Sequence, residues 1–207
     1  MIAMARYQRK DAYHQKAKRE GFRSRAAYKL QELQRAQRVL ARGDRVVDLG
    51  CWPGGWLQVA SQLVGPKGRV VGVDLAAIEP SLDLANVVAI QADLGEASVS
   101  KEILAALGGE PCDVLLCDAA PKLTGVKATD RAREEALLES VEALIPLLLR
   151  PGGSLILKIL EGPEASAIER RIRGRFDKAK ATRPDSSRKG TSERYLVAKG
   201  WRGDPDH

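Results

Sequence analysis

Val46-Val47-Asp48-Leu49-Gly50-Cys51-Trp52-Pro53-Gly54-Gly55-Trp56 is the stretch on which the fold turns. Val46, Val47 and Leu49 predict a short buried strand, entered from the charged turn Arg42-Gly43-Asp44-Arg45. A glycine-rich turn follows, and Trp56 to Leu63 reads as a helix. Strand, glycine turn and helix make the opening unit of a nucleotide-binding α/β domain. Glycines there let a ligand approach the backbone where a Cβ would clash. The helix start offers unpaired N–H groups.

The glycines fall at positions 50, 54 and 55, so the G-x-G-x-x-G of dinucleotide sites is not present, and a nicotinamide oxidoreductase is disfavoured. No Gly-Lys-Ser/Thr follows, so the turn is not a P-loop. Pro53 stiffens the turn, which suits a ligand without a pyrophosphate. The pattern resembles the S-adenosylmethionine (SAM) site of Rossmann-like methyltransferases.

Outward from this unit, strands alternate with helices. Arg69 to Asp74 predicts a second strand after the turn Gly65-Pro66-Lys67-Gly68, and its terminal Asp74 stands where an acid hydrogen-bonds ribose hydroxyls. Val87 to Gln91 is the third strand. Asp93 just beyond it reads either as a plain turn residue or as a contact to an adenine edge. Val99 to Leu107 reads as a helix, and Cys112 to Cys117 as a strand that delivers Asp118 to the carboxyl edge of the sheet, where open α/β sheets hold ligands. A polar loop from Lys122 to Thr129 leads to a helix over Arg131 to Leu149, with Ala132, Leu137, Val141, Leu144, Ile145 and Leu148 inward and a bend at Pro146. Pro151-Gly152-Gly153 turns the chain into a strand over Ser154 to Ile159. Lys158 near its end needs a partner, because its neighbours predict burial. A helix over Glu164 to Arg173, a short strand over Phe176 to Ala181, a polar loop from Asp185 to Ser192 and a last strand from Glu193 to Lys199 complete the order. Before the glycine turn, Ser24 is the expected cap of a helix from Arg25 to Gln37, in which Lys29 by itself reads as a solvated surface lysine. Residues 1–22 read as a basic, flexible and irregular arm, and 23–207 as one three-layer α/β domain, a mostly parallel sheet with helices on both faces.

The chain has 207 residues, with 44% hydrophobic and 29% charged side chains, values of an ordinary globular protein. No apolar run approaches the ~20 residues that span a bilayer, so no membrane partner is expected. The basic N-terminus lacks an apolar segment and a cleavage site. Cys51, Cys112 and Cys117 form no C-x-x-C pair and read as reduced packing residues of a cytoplasmic protein. His14 and His207 lie far from them, so no metal is expected. Charge is unevenly placed. Residues 1–30 carry nine Lys/Arg and two Asp/Glu, residues 168–207 twelve and six, and the middle thirteen and nineteen. Basic ends around an acidic middle attract polyanions, nucleic acid first among them. Tyr7, Tyr13 and Phe22 among the arm's cations offer stacking platforms for bases.

Five stretches, in order, are similar to the FtsJ/RrmJ (RlmE) family of ribose 2′-O-methyltransferases: Arg23-Ser24-Arg25-Ala26-Ala27-Tyr28-Lys29-Leu30, Asp48-Leu49-Gly50 with Pro53-Gly54-Gly55-Trp56, Asp118-Ala119-Ala120-Pro121, Pro151-Gly152-Gly153 to Lys158, and Arg183-Pro184-Asp185-Ser186-Ser187-Arg188 with Ser192-Glu193. They span residues 20 to 200. The resemblance implies a Rossmann-like SAM-dependent fold and a Lys-Asp-Lys-Glu tetrad on Lys29, Asp118, Lys158 and Glu193. It implies cofactor contacts at Gly54, Trp56, Asp74, Asp93 and Asp118. The sequence departs from the family at Cys51-Trp52, where relatives usually carry two small residues. The bacterial branch methylates a uridine ribose in large-subunit ribosomal RNA, and other branches act on tRNA or mRNA caps. This compact chain resembles the ribosomal branch most, so a monomer acting on ribosomal RNA in the large subunit is expected.

The implied reaction is an in-line displacement in which a ribose 2′-oxygen takes the methyl of a sulfonium and S-adenosylhomocysteine leaves. Lys158 is the candidate to accept the hydroxyl proton, with Asp118 orienting it and Lys29 and Glu193 positioning the ribose. A free lysine is protonated at neutral pH, so its neighbours must favour the neutral amine. In the alternative, Lys158 keeps its charge and orients the oxygen's lone pair. Arg170, Arg171, Arg173, Arg183, Arg188, Lys189 and the arm are expected to hold RNA. A ribosome-assembly factor that binds RNA without chemistry is the competing class.

Overall fold

The computed structural model describes residues 12–122, 124–159, 163–187 and 193–203. Six helices and seven strands follow in the order α1 (Ala12–Arg19), α2 (Ala26–Gln37), β1 (Arg45–Leu49), α3 (Gly55–Val64), β2 (Arg69–Asp74), β3 (Val87–Gln91), α4 (Val99–Leu107), β4 (Cys112–Cys117), α5 (Lys127–Leu148), β5 (Leu149–Ile159), α6 (Pro163–Arg173), β6 (Phe176–Thr182) and β7 (Arg194–Trp201). The strands form one sheet in the order β3-β2-β1-β4-β5-β7-β6. β1 to β5 pair in parallel, and β7 runs antiparallel between β5 and β6. The order reverses between β1 and β4, which opens a crevice at the carboxyl ends of those strands.

Alternation along the strands divides the core into two layers. Val47, Leu115, Leu155, Leu157 and Leu196 face α4, α5 and α6. Val46, Leu116, Ile156, Tyr195 and Val197 face α2 and α3. Burial on both faces explains the continuous apolar runs of the central strands β1, β2 and β4.

Several expectations change. Residues 12–19, expected irregular, are helical. An eight-residue helix is marginal alone, but α1 buries Ala17 and sets Tyr13 against Tyr28 at 5.5 Å, with Lys16 over the Tyr28 ring. Phe22 also packs on Tyr28, so Tyr13 and Phe22 serve the fold and are not open stacking platforms. Ser24 does not cap α2. Arg25 holds the cap position without a side-chain bond, and the Ser24 hydroxyl is buried without a partner. α5 starts four residues before Arg131 because Asp130 accepts hydrogen bonds from the Thr124 and Gly125 amides and folds the preceding turn onto the helix. Ala132 there is exposed and Leu138 buried, so the apolar stripe begins a turn later than expected. β5 begins at Leu149, taking Pro151-Gly152-Gly153 into the strand.

Candidate active site

Four elements deliver charged side chains to one point at the carboxyl edge of the sheet. Lys29 comes from α2, Asp118 follows β4 directly, Lys158 is next to last in β5, and Glu193 immediately precedes β7. Lys29 Nζ is 3.1 Å from Glu193 Oε1 and 3.8 Å from Asp118 Oδ1. Lys158 Nζ is 3.2 Å from the same Asp118 oxygen and donates to the Asp118 carbonyl at 2.6 Å. Both lysines are buried, a placement that costs several kcal/mol per ion unless partners surround it. The four residues expected to act together therefore meet, with Asp118 between the two amines. Lys29 is no surface lysine.

Tyr195 is a fifth member that the sequence reading missed. Its hydroxyl accepts from Lys29 Nζ at 2.9 Å and donates to Asp118 Oδ1 at 2.6 Å. Burial first, then Asp118 and Glu193, push its phenol far above the ordinary tyrosine range, so it stays a neutral donor. The available signal was spacing. Tyr195 lies two residues past Glu193, and in register it sits opposite Lys158.

Across the crevice, the turn after β1 is shaped by glycines. Gly54 opens α3 at φ +107°, and Gly50, at φ +77°, lies so close to Ala119 that a Cβ would collide with it. The first-turn amides of α3 have no carbonyl one turn back. Asp74 at the end of β2 accepts from the Trp52 and Ala76 amides, both at 2.9 Å. Asp93 is exposed and accepts from the Gly95 amide. The Trp56 indole is buried and donates to the Ala26 carbonyl at 2.8 Å. Trp52 stands 58% exposed at the rim.

Asp48, given no role in the sequence reading, is fully buried on β1, and neither carboxylate oxygen has a partner among the described residues. Burial, with Asp118 and Asp74 adding to it, holds its carboxyl well above the usual range. A charged-type residue inside Val-Val-Asp-Leu was the signal. An orphaned acid beneath a bare glycine turn, with carboxylates at the ends of two neighbouring strands, fits a polar nucleoside ligand that brings its own donors.

The cations expected to hold RNA divide. Arg171 is bound by Glu142 and Arg173 by Glu169, so neither is free for phosphate. Arg170 and Arg183 are exposed. Arg188, Lys189 and the first eleven residues lie outside the described residues. No described helix is long and apolar enough to cross a membrane.

The model of the FtsJ-like methyltransferase family matches residues 22–201. The chain belongs to the FtsJ-like methyltransferases. It is 41% identical over 194 residues to the ribosomal RNA large subunit methyltransferase E of Pseudomonas aeruginosa, covering 94% of this chain and 92% of that one. It is 44% identical over 196 residues to the protein of the same name from Methanothrix thermoacetophila, covering 95% and 74%. A Plasmodium falciparum crystal structure described as a ribosomal RNA methyltransferase superposes with a TM-score of 0.77 at 30% identity, over 88% of this chain and all 100% of the other. The FtsJ-like architecture extends further as a fold. Aeropyrum pernix fibrillarin, solved with SAM bound, aligns at a TM-score of 0.62 and 21% identity over 83% of this chain and 75% of its own.

Proposed function

We propose that this enzyme transfers the methyl group of S-adenosylmethionine to the 2′-hydroxyl of a uridine ribose in large-subunit ribosomal RNA, acting as a monomer in the cytoplasm. The observation that carries the chemistry is the buried Lys29–Asp118–Lys158–Glu193 network at the mouth of the β1–β4 crevice. Relatives named for large-subunit ribosomal RNA support the substrate.

Gly54, the amide of Trp56, Asp74, Asp93 and Asp118 would hold the cofactor, which supplies a methyl on a sulfonium and leaves as S-adenosylhomocysteine. Asp74 suits the ribose hydroxyls, because its carboxylate already sits at the end of β2 with both oxygens turned to the rim amides. Asp93 suits the adenine edge. The acceptor ribose lies against Lys29 and Glu193. Its O2′ would be held beside the methyl that the cofactor supplies, and its hydroxyl proton would pass to Lys158. Lys29 and Lys158 bring two positive charges and Asp118 and Glu193 two negative ones, so a sulfonium brought beside them would add uncompensated positive charge to the site. Asp118 keeps the amine aimed through both its carbonyl and its carboxylate. Holding oxygen and methyl in line supplies much of the acceleration.

The test is transfer of radioactive methyl from SAM to large-subunit RNA and to tRNA, with the modified ribose mapped. Wild type should label one uridine of the large-subunit RNA. Lys158→Ala should lose about 10²–10⁴-fold in transfer while binding SAM normally. Turnover by that variant at the wild-type rate would remove the proton-accepting role. RNA binding by wild type without transfer would favour the assembly-factor reading instead, and labelling of tRNA alone would move the substrate.

A further inference from the structure

Positive charge is not shared evenly between the two faces of the sheet. In the antiparallel register of β7 with β6, Tyr195, Val197 and Lys199 lie opposite Thr182, Lys180 and Lys178. Residues paired in this way share a face. Tyr195 and Val197 pack in the α2–α3 layer, so Lys180 and Lys178 stand on the side of Lys29, while Ala179 turns into the α4–α6 layer. Both lysines are exposed. Neither has an ion pair or hydrogen bond among the described residues.

The row has a direction. Thr182, opposite Tyr195, is at the tetrad end of edge strand β6, and exposed Arg183 follows it. Lys180 and Lys178 then step away at about 6.6 Å per pair of residues. Lys178 ends beside Lys199, whose ammonium donates to the Gln37 and Arg38 carbonyls at the end of α2. Arg35 and Arg38 are exposed there. The opposite layer is different: Glu142 engages Arg171, and Glu169 engages both Arg173 and Arg194. One face thus carries a cationic track that leads from the reaction site, with Lys178 and Lys180 in it unpaired among the described residues, while on the other Arg171, Arg173 and Arg194 are paired.

Lysines on an edge strand also deter strand pairing with other chains. That duty needs charge of either sign on either face. It does not explain two lysines on the same face, leading from the tetrad.

We propose that the RNA strand leaves the reaction site along the β6 edge on the α2 side, with Lys180 and Lys178 against its phosphates. This rests on the RNA-methyltransferase reading above and specifies the path. Single-stranded RNA suits an open edge of this kind, where nucleotides splay.

The experiment compares the full chain with two double variants of equal charge change. Lys178→Glu with Lys180→Glu alters the track, and Lys101→Glu with Arg131→Glu, both exposed on the opposite layer, alters that layer. Affinity for large-subunit ribosomal RNA is measured against salt, alongside SAM affinity and thermal unfolding. Glutamates keep the edge charged, so folding and SAM binding should hold in both. The track variant should bind RNA more than about tenfold more weakly near 0.1 M salt. The slope of log affinity against log salt should fall by about 1.4, from about 0.7 per lost phosphate contact. The opposite variant should change affinity less than about twofold, since screening limits distant charges. Lys178→Gln with Lys180→Gln should show a smaller loss in the same direction. Equal losses in the two Glu variants, or an unchanged slope in the track variants, overturn the path and leave the methyltransferase reading standing. Wild type that binds SAM but neither binds nor methylates the RNA overturns both.

Discussion

The two halves of the sheet's carboxyl edge are finished differently. On the side of β4, β5 and β7, every charged group is already held: Asp118 by Lys158 and Tyr195, Lys29 by Glu193 and Tyr195. On the side of β1 and β2, Asp48 has no partner, Asp93 is exposed and Trp52 projects outward. The first half is fully paired before any reactant arrives, the arrangement that a site stabilising a transition state would need. The second is a mould with missing contacts, as a site that gains its order from a ligand must be. The two are joined by the close approach of Gly50 to Ala119.

Asp118→Asn breaks this contrast most severely. It leaves two buried ammonium groups with one carboxylate between them. Removal of one member of a buried pair costs about 3–5 kcal/mol, so chemical denaturation should show a loss of about that size and methyl transfer should vanish. A variant as stable as wild type would mean that the network is not tightly coupled. Tyr195→Phe is a finer probe, because it deletes only the hydroxyl between Lys29 and Asp118. One charge-linked hydrogen bond is worth about 1.5–3 kcal/mol, so transfer should fall about 10- to 150-fold, with SAM affinity unchanged. A matching fall in SAM affinity would show that the two halves are not separable.

Asp48 gives the smallest and most diagnostic effect. Its carboxyl lies above the ordinary range in the folded chain, so the folded state holds a proton that the unfolded state gives up near pH 4. Stability from this group is therefore lost as pH rises from that value towards the raised one. Asp48→Asn removes the slope. Urea unfolding across pH 4.5–8 should show the variant gaining on wild type as pH increases. Parallel curves would mean that Asp48 finds a partner in solution.

Much of the frame was legible. β2, β3, β4 and α4 span the residues their apolar runs predict, and β2 and β4 each run from a Gly or Pro to an Asp. The tetrad was not readable from local pattern. Lys29 and Glu193 are 164 residues apart, and only the ordered likeness to a family joined them. Tyr195 sat in a strand that asked for an aromatic anyway, so its hydroxyl raised no signal. α1 depends on rings from α2, and a short helix of that kind has no signature of its own. The α6 arginines looked like RNA ligands because charge counts do not say which layer a residue joins. Glu142 and Glu169, from α5 and from α6 itself, claim two of them. Lys178 and Lys180 were passed over for the same reason.

β7 slots between β5 and β6, and this has a consequence for biosynthesis. A nascent polypeptide displays Lys29 early, yet that amine waits for a carboxylate and a phenol that leave the exit tunnel only with residues 193–195. Until that late insertion the network does not exist, so a partly translated or prematurely stopped copy lacks the paired charges that the finished fold brings together.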